Sequence, residues 1–442
     1  MKKGLIKIKT MVKAAAALLV IAALVSCFRT APAQETPVQK EALDPAKPVP
    51  ITFYSYSLGY PTMKPGMEHL IQEFNDTIGK EKGVTVEAVV DDFVKFRSDI
   101  AAGLPVDMVQ HTFVMMDQSR ASLGFSAYED VFPAAELEEH VKHISPNALK
   151  LGMIDGKIYG LAFTFSTPIL YMNGKLFEDA GLDPRNPPKT WTEIAACAKQ
   201  IKEKTGKDGF GLAPNNGWVT EGILYSNGAE LLSPDRKSVV FASPQGIAAF
   251  QMWQDLYHSG VHAAGTDTEL MEQFMAGNLG MQLQSTSLLS GYTNAAKAGG
   301  WGLYGAEMPG FEGRPSVPVN SGSSLMVRPD SERKSLAVWE FIKYVSGPRG
   351  YTIITSEIGY LPLRMDAVED PRYLKDFVDG NPIIRTNLNQ LERIHPVAIW
   401  PAARAQELAA LFSDMTAEGI MTKADLAALM TKTQDRMNSL LQ

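Results

Sequence analysis

The chain has 442 residues, 45% of them hydrophobic and 21% charged, and a formal net charge of −7. That length allows two or three domains, and the composition is that of a folded globular chain, which excludes a disordered or fibrous one. Five of the 42 Lys and Arg residues sit in the first 13 positions and the others are scattered along a net-acidic chain, which argues against a basic face for nucleic acid.

The N-terminus reads as an export signal. Lys2, Lys3, Lys7, Lys9 and Lys13 precede an apolar run from Ala14 to Val25. The run has the length of a signal-peptide core and is too short to span a bilayer comfortably. Leu24-Val25-Ser26-Cys27 completes a lipobox. Residues 1–26 are therefore expected to be a lipoprotein signal peptide, cleaved before a lipidated Cys27, leaving about 416 residues. Residues 27–48, with Pro32, Pro37, Pro45 and Pro48, read as the lipidated cysteine and a flexible tether. Cys197 then has no partner, so no internal disulfide is expected. It lies among Ala195, Ala196 and Ala198 on a predicted helix and reads as a small packing residue.

Strand and helix patterns alternate from there. Ile51-Thr52-Phe53-Tyr54 reads as a strand, and Met67, Leu70, Ile71 and Phe74 form one stripe of a helix. Val84, Val86, Ala88 and Val90 alternate as a strand does. A helix over 93–102 and a strand over 106–110 follow. This rhythm implies a mostly parallel sheet with helices on both faces, an α/β fold. A second such region begins near Thr167. Thr190-Trp191-Thr192-Glu193 is a capping box opening a helix through Ile194, Ala198 and Ile201, stopped by Gly206. Phe250, Trp253 and Tyr257 mark another helix. Val338, Phe341, Ile342 and Val345 give a further stripe, closed by Gly347-Pro348. The stretch 404–441 reads as two or three helices.

Three chemical signals point nowhere. Gly300-Trp301-Gly302-Leu303-Tyr304-Gly305 fits G-x-G-x-x-G, but a nucleotide fingerprint follows a strand and opens a helix, so a hinge loop entering a strand is expected here. His258 and His262 are four apart, but Gly260 breaks the helix between them and no third metal ligand is evident. Asp91-Asp92 reads as an exposed turn and not an acid/base pair. There is no nucleophile elbow and no P-loop.

From Ser166 onward the sequence resembles a known family. Ser166-Thr167-Pro168-Ile169-Leu170-Tyr171-Met172-Asn173 is followed by Leu176-Phe177-Glu178-Asp179-Ala180-Gly181-Leu182 and by Pro187-Pro188-Lys189-Thr190-Trp191. Glu272-Gln273-Phe274-Met275-Ala276-Gly277-Asn278-Leu279-Gly280-Met281, Ser321-Gly322-Ser323-Ser324-Leu325-Met326-Val327 and Ile358-Gly359-Tyr360-Leu361-Pro362 come later, in the matching order. Together they resemble the family 1 extracellular solute-binding proteins of ABC importers, most of all the glycerol-3-phosphate-binding type. The resemblance spans roughly Ile51 to the C-terminus.

The resemblance implies a two-lobed periplasmic-binding-protein fold, type II-like, with a hinge between lobes. Lobe I would comprise 49–163 plus 304–358, and lobe II 164–303 plus 359–442. Crossings would fall near 162–166, 301–306 and 357–361. Ligand contacts would fall on Ser166, Ser285, Gly322, Tyr360 and Arg404, with Trp218 beside the cleft. Gly322 would let backbone approach a ligand closely. Arg404 would offer a bidentate fork to an anionic oxygen pair. Phe113 stands where that type carries an acidic ligand residue, and Tyr54-Ser55-Tyr56-Ser57 replaces an aromatic-His opening. The implied role is non-enzymatic capture of a sugar or sugar-phosphate-like solute, without cofactor or metal, by a monomer lipid-anchored outside the cytoplasmic membrane. Its partners would be permease subunits and, through them, an ATPase. The alternatives are an exported carbohydrate-active hydrolase and a sensor or adhesion lipoprotein on the same fold.

Overall fold

A computed structural model of the chain describes residues 42–214, 216–401 and 404–442. The signal peptide over 1–26, Cys27 and most of the expected tether lie outside the described residues. The last residues of that tether are not free. Leu43 packs against the core, Lys47 N donates to Asp44 O at 2.9 Å, and Arg333 donates to the Lys47 carbonyl. The tether expected over 27–48 therefore ends before Leu43, because that side chain buries apolar surface. No helix among the described residues is long and apolar enough to cross a membrane.

Eleven strands are described: β1 (Val49–Ser55), β2 (Val84–Val90), β3 (Met108–Thr112), β4 (Met153–Ile154), β5 (Lys157–Ile158), β6 (Leu161–Ser166), β7 (Pro168–Asn173), β8 (Asp208–Gly211), β9 (Leu279–Ser285), β10 (Leu303–Glu307) and β11 (Ser321–Val327). They form a five-stranded sheet of order β2-β1-β3-β11-β6, a four-stranded sheet of order β10-β7-β9-β8, and the hairpin β4-β5. The expected helices are present at Lys64–Phe74, Trp191–Thr205, Pro244–His258, Glu332–Val345, Ala405–Met421 and Leu426–Leu441.

The sheets are mixed, which corrects the expectation of mostly parallel ones. β1 pairs parallel with β2 and β3, and β8 with β9. β11 is antiparallel to both β3 and β6, and β7 is antiparallel to β9 and β10. The parallel pairs are joined through helices on the same lobe. β11 instead returns from the other lobe, enters from the opposite end, and so runs against its neighbours.

Each sheet carries its own core. In lobe I Phe341 of Glu332–Val345 meets Phe53 and Phe74, with ring centroids 5.5 and 4.9 Å apart. In lobe II β7 is buried on both faces. Leu170 and Met172 join a core with Trp191, Phe210 and Trp253, while Ile169 and Tyr171 join Phe274 and Tyr292. That is the alternation of a strand sandwiched between two helical layers.

The chain crosses between lobes directly from β6 to β7 through Thr167. The other boundaries differ from those expected. β10 pairs with β7 and so belongs to lobe II, which moves the second crossing from 301–306 to 308–320. Leu361, Leu363, Val368, Leu374 and Leu391 pack into the lobe I core, while Ala398, Trp400 and Ala405 belong to lobe II. The third crossing therefore falls near 395–400 and not at 357–361. The Gly300 segment leads into β10, a strand, and not into a helix. The helix expected over 93–102 starts only at Lys95. Phe93 sits at φ 68°, and Asp91 and Asp92 accept from the Phe93, Val94, Lys95 and Phe96 amides. Asp92 is exposed as expected, but Asp91 is buried, because its carboxylate satisfies backbone donors of this turn.

Candidate functional site

The ends of β6, β9 and β11 converge where the two sheets meet. Ser321 pairs with Ser166, and Pro168 pairs with Ser285. This register brings serines from residues 166, 285 and 321 onto the rim of one cavity of about 380 Å³. Ser285 Oγ donates to Ser166 Oγ at 3.0 Å and lies 2.8 Å from Ser287 Oγ. These hydroxyls satisfy one another, and each can exchange such a bond for one to a hydroxyl of a bound molecule.

Two flat aromatic faces complete the wall. Trp218 opens the helix Gly217–Ser226 and packs against the cores of both lobes. Tyr360 follows Gly359, whose φ of 94° turns the chain out of a helix, and Leu361 N then donates to Phe165 O at 2.8 Å. That bond pins Tyr360 beside β6. Burial pushes its phenol well above the ordinary value, so it stays neutral. A hydrophobic face with a polar tip suits a sugar's C–H surface.

Four of the six expected contacts, Ser166, Trp218, Ser285 and Tyr360, thus line one cavity. The other two do not. Gly322 sits at φ 106° at a register shift between β11 and β6, where a Cβ would overlap the Thr164 carbonyl oxygen. Its missing side chain serves backbone packing. Arg404 is exposed at the start of Ala405–Met421, with Nη1 3.1 Å from Glu407 Oε2. Phe113 is buried in the lobe I core, and next to it Met115 packs against lobe II.

The segment Ser55-Tyr56-Ser57 anchors a buried polar network within lobe I. Gln110 Oε1 accepts from Ser55 Oγ at 2.6 Å, and Gln110 Nε2 donates to Ser57 Oγ at 2.9 Å and Ser323 Oγ at 3.0 Å. The Tyr56 ring packs on Phe93 and Tyr60, with centroids 4.8 and 6.1 Å away. A bulky residue in the left-handed region, such as Phe93, is costly and persists only where its surroundings hold it.

The sequence reading missed Asn216, Asp267, Met271, Gln284, Ser287 and Leu288, which also line the cavity. Asp267 Oδ1 accepts from Gln284 Nε2 at 2.8 Å and from Asn216 Nδ2 at 3.3 Å. A local signal did exist. Thr266 and Glu269 form a capping box that fixes the start of Asp267–Met275. Nothing local says that this helix start faces a cleft.

The third crossing is clamped to lobe II. Ala398 N donates to Glu221 Oε2 at 2.7 Å, and Tyr225 stacks on His395 with centroids 3.9 Å apart. Burial pushes the Glu221 carboxyl up to about 8. Arg236 of lobe II donates to Asp117 Oδ2 of lobe I at 2.6 Å and to Ile399 O at 3.0 Å. Cys197 is half-buried and burial raises its thiol, as suits a packing residue. His262 is buried with Nδ1 2.7 Å from Ala263 O, and no cluster able to hold a metal occurs among the described residues.

A family model described as bacterial extracellular solute-binding protein matches residues 69–377. The chain is 29% identical over 253 residues to the sn-glycerol-3-phosphate-binding periplasmic protein UgpB of Agrobacterium fabrum, covering 54% of this chain and 56% of that one. It is 26% identical over 262 residues to UgpB of Escherichia coli K12, covering 56% and 58%. The match thus spans little more than half the length of these curated relatives. Among solved structures, the cyclic alpha-maltosyl-1,6-maltose binding protein of Arthrobacter globiformis superposes with a TM-score of 0.77 at 22% identity, covering 89% of this chain and 99% of that one. UgpB of Mycobacterium tuberculosis, in complex with glycerophosphocholine, gives 0.73 at 23%, covering 89% and 98%. At those identities the likeness concerns the two-lobed fold. With the matched segment covering most of the chain, this protein belongs to the family of bacterial extracellular solute-binding proteins.

Proposed function

We propose that this chain is the solute-capturing subunit of an ABC importer, closing its lobes over a sugar or sugar-phosphate-like molecule and releasing it unchanged to a permease driven by an ATPase. One observation carries the reading: Ser166, Ser285, Ser321, Tyr360 and Trp218, drawn from both lobes, line a single cavity at the junction of the sheets. A ligand held by both walls stabilises the closed arrangement by its differential contacts. A glycoside hydrolase needs two carboxylates roughly 5–10 Å apart across its cleft. Among the described residues lining this cavity Asp267 is the one carboxylate.

The proposal includes action as a monomer and attachment through a lipid on Cys27 outside the cytoplasmic membrane. Two measurements test it. Thermal melting of the purified full chain with sugars, polyols and glycerol phosphates should show an upward shift with at least one, since a ligand that binds only the folded form stabilises it. No shift with any of them, together with turnover of a glycoside, would sink the reading. Cys27→Ser should release the chain from the membrane fraction; retention there would remove the lipid anchor.

A further inference from the structure

If the cleft captures a solute, the charge on its walls decides which solutes can stay. Asp267 is the one ionisable acid or base of ordinary carboxylate or cationic type among the described lining residues; no Lys, Arg or His lines the cavity. Its position is fixed twice, by the capping box that starts its helix and by the Gln284 and Asn216 amides, which both donate to Oδ1. Among the described residues no donor reaches Oδ2. Gln284 Oε1 accepts from Ser285 N at 2.7 Å. The cation that sequence reasoning placed at the site, Arg404, is paired with Glu407 on the surface.

An ionised carboxylate only accepts hydrogen bonds, so Oδ2 calls for a donor on the ligand. Sugar and polyol hydroxyls supply donors, and the serines can act in either sense. Trp218 and Tyr360 add apolar faces. A phosphate monoester brings about −1.5 to −2 charges and only acceptor oxygens at its head. In this cavity it would meet a like charge without a cation to offset it. We infer that Asp267 is a specificity-determining residue that makes the cleft select an uncharged polyhydroxylated ligand over a phosphate ester. This rests on the capture reading above and narrows its substrate class.

The test is isothermal titration of the full chain with maltose, trehalose, sorbitol, sn-glycerol 3-phosphate and glycerophosphocholine. At least one uncharged sugar or polyol should bind at least tenfold more tightly than sn-glycerol 3-phosphate. Asp267→Asn should weaken the uncharged ligand about tenfold, the size expected for one hydrogen bond to a charged group. The same change should improve binding of the phosphate ester. Asp267→Glu should restore part of the sugar affinity, and melting of each unliganded variant confirms that it folds. A preference for sn-glycerol 3-phosphate that Asp267→Asn leaves unchanged would overturn this inference while the capture reading stands. So would tighter binding of glycerophosphocholine that Asp267→Asn abolishes, since Asp267 would then pair with a cation. Binding of none of the five would overturn this inference, which requires an uncharged sugar or polyol among them to bind, while the capture reading is decided by the wider melting screen.

Discussion

The Oγ atoms of Ser166 and Ser285 lie 3.0 Å apart, although 119 residues separate them in the chain. Ser166 ends β6 of one sheet and Ser285 ends β9 of the other, so this hydrogen bond spans the point where the lobes join. Ser285→Ala removes the donor of that bond and one donor to a ligand. Its solute affinity should fall about fivefold to tenfold, with a stability loss of about 1 kcal/mol, the net size of one hydrogen bond. Titration calorimetry and melting of the unliganded variant read the two effects separately.

Gly322→Ala should be far more damaging to folding than to recognition. The position combines φ 106° with a backbone oxygen where the new methyl would sit. Strain of this kind costs about 1–3 kcal/mol before the overlap is added. Urea denaturation should show a loss of at least that size. An unchanged midpoint would mean that β11 and β6 do not approach this closely.

Glu221 ties stability to pH. Burial raises its folded carboxyl from 4.5 to about 8, so the folded protein holds a proton there that the unfolded chain has released. Where the native state binds more protons, stability falls as pH rises. This group's contribution should therefore be fully present below about pH 4.5 and be lost progressively up to about pH 8. Glu221→Gln keeps an acceptor for Ala398 N and removes the titration. The variant should gain on wild type by about 1–3 kcal/mol between pH 5 and pH 8, as judged by chemical denaturation at each pH.

Arg236 bridges Asp117 of lobe I and the Ile399 carbonyl of the third crossing. Its own φ is 57°, so the turn that presents it is strained. Arg236→Ala should cost about 1–2 kcal/mol, between the values of exposed and buried pairs. It should also shift the lobes toward an open arrangement, seen as a larger radius of gyration in small-angle scattering. A more compact particle would contradict the bridge.

What the sequence determined by itself is the local grammar. The stripe Val338, Phe341, Ile342 and Val345 became a buried helix face, and Thr190 with Glu193 became a capping box closed by Gly206. Such features depend on partners three or four residues away, so they are written in the chain. The resemblance around Ser166 and Tyr360 likewise located four of the cavity's walls. Only the tertiary structure decided the rest. It placed β10 with lobe II, packed Leu361, Leu363, Val368, Leu374 and Leu391 into the lobe I core, turned Arg404 to Glu407, and brought Asp267 to the cleft. Those outcomes depend on which distant strands pair and in what direction. That choice is made by the burial of whole faces, and no short stretch of residues encodes it.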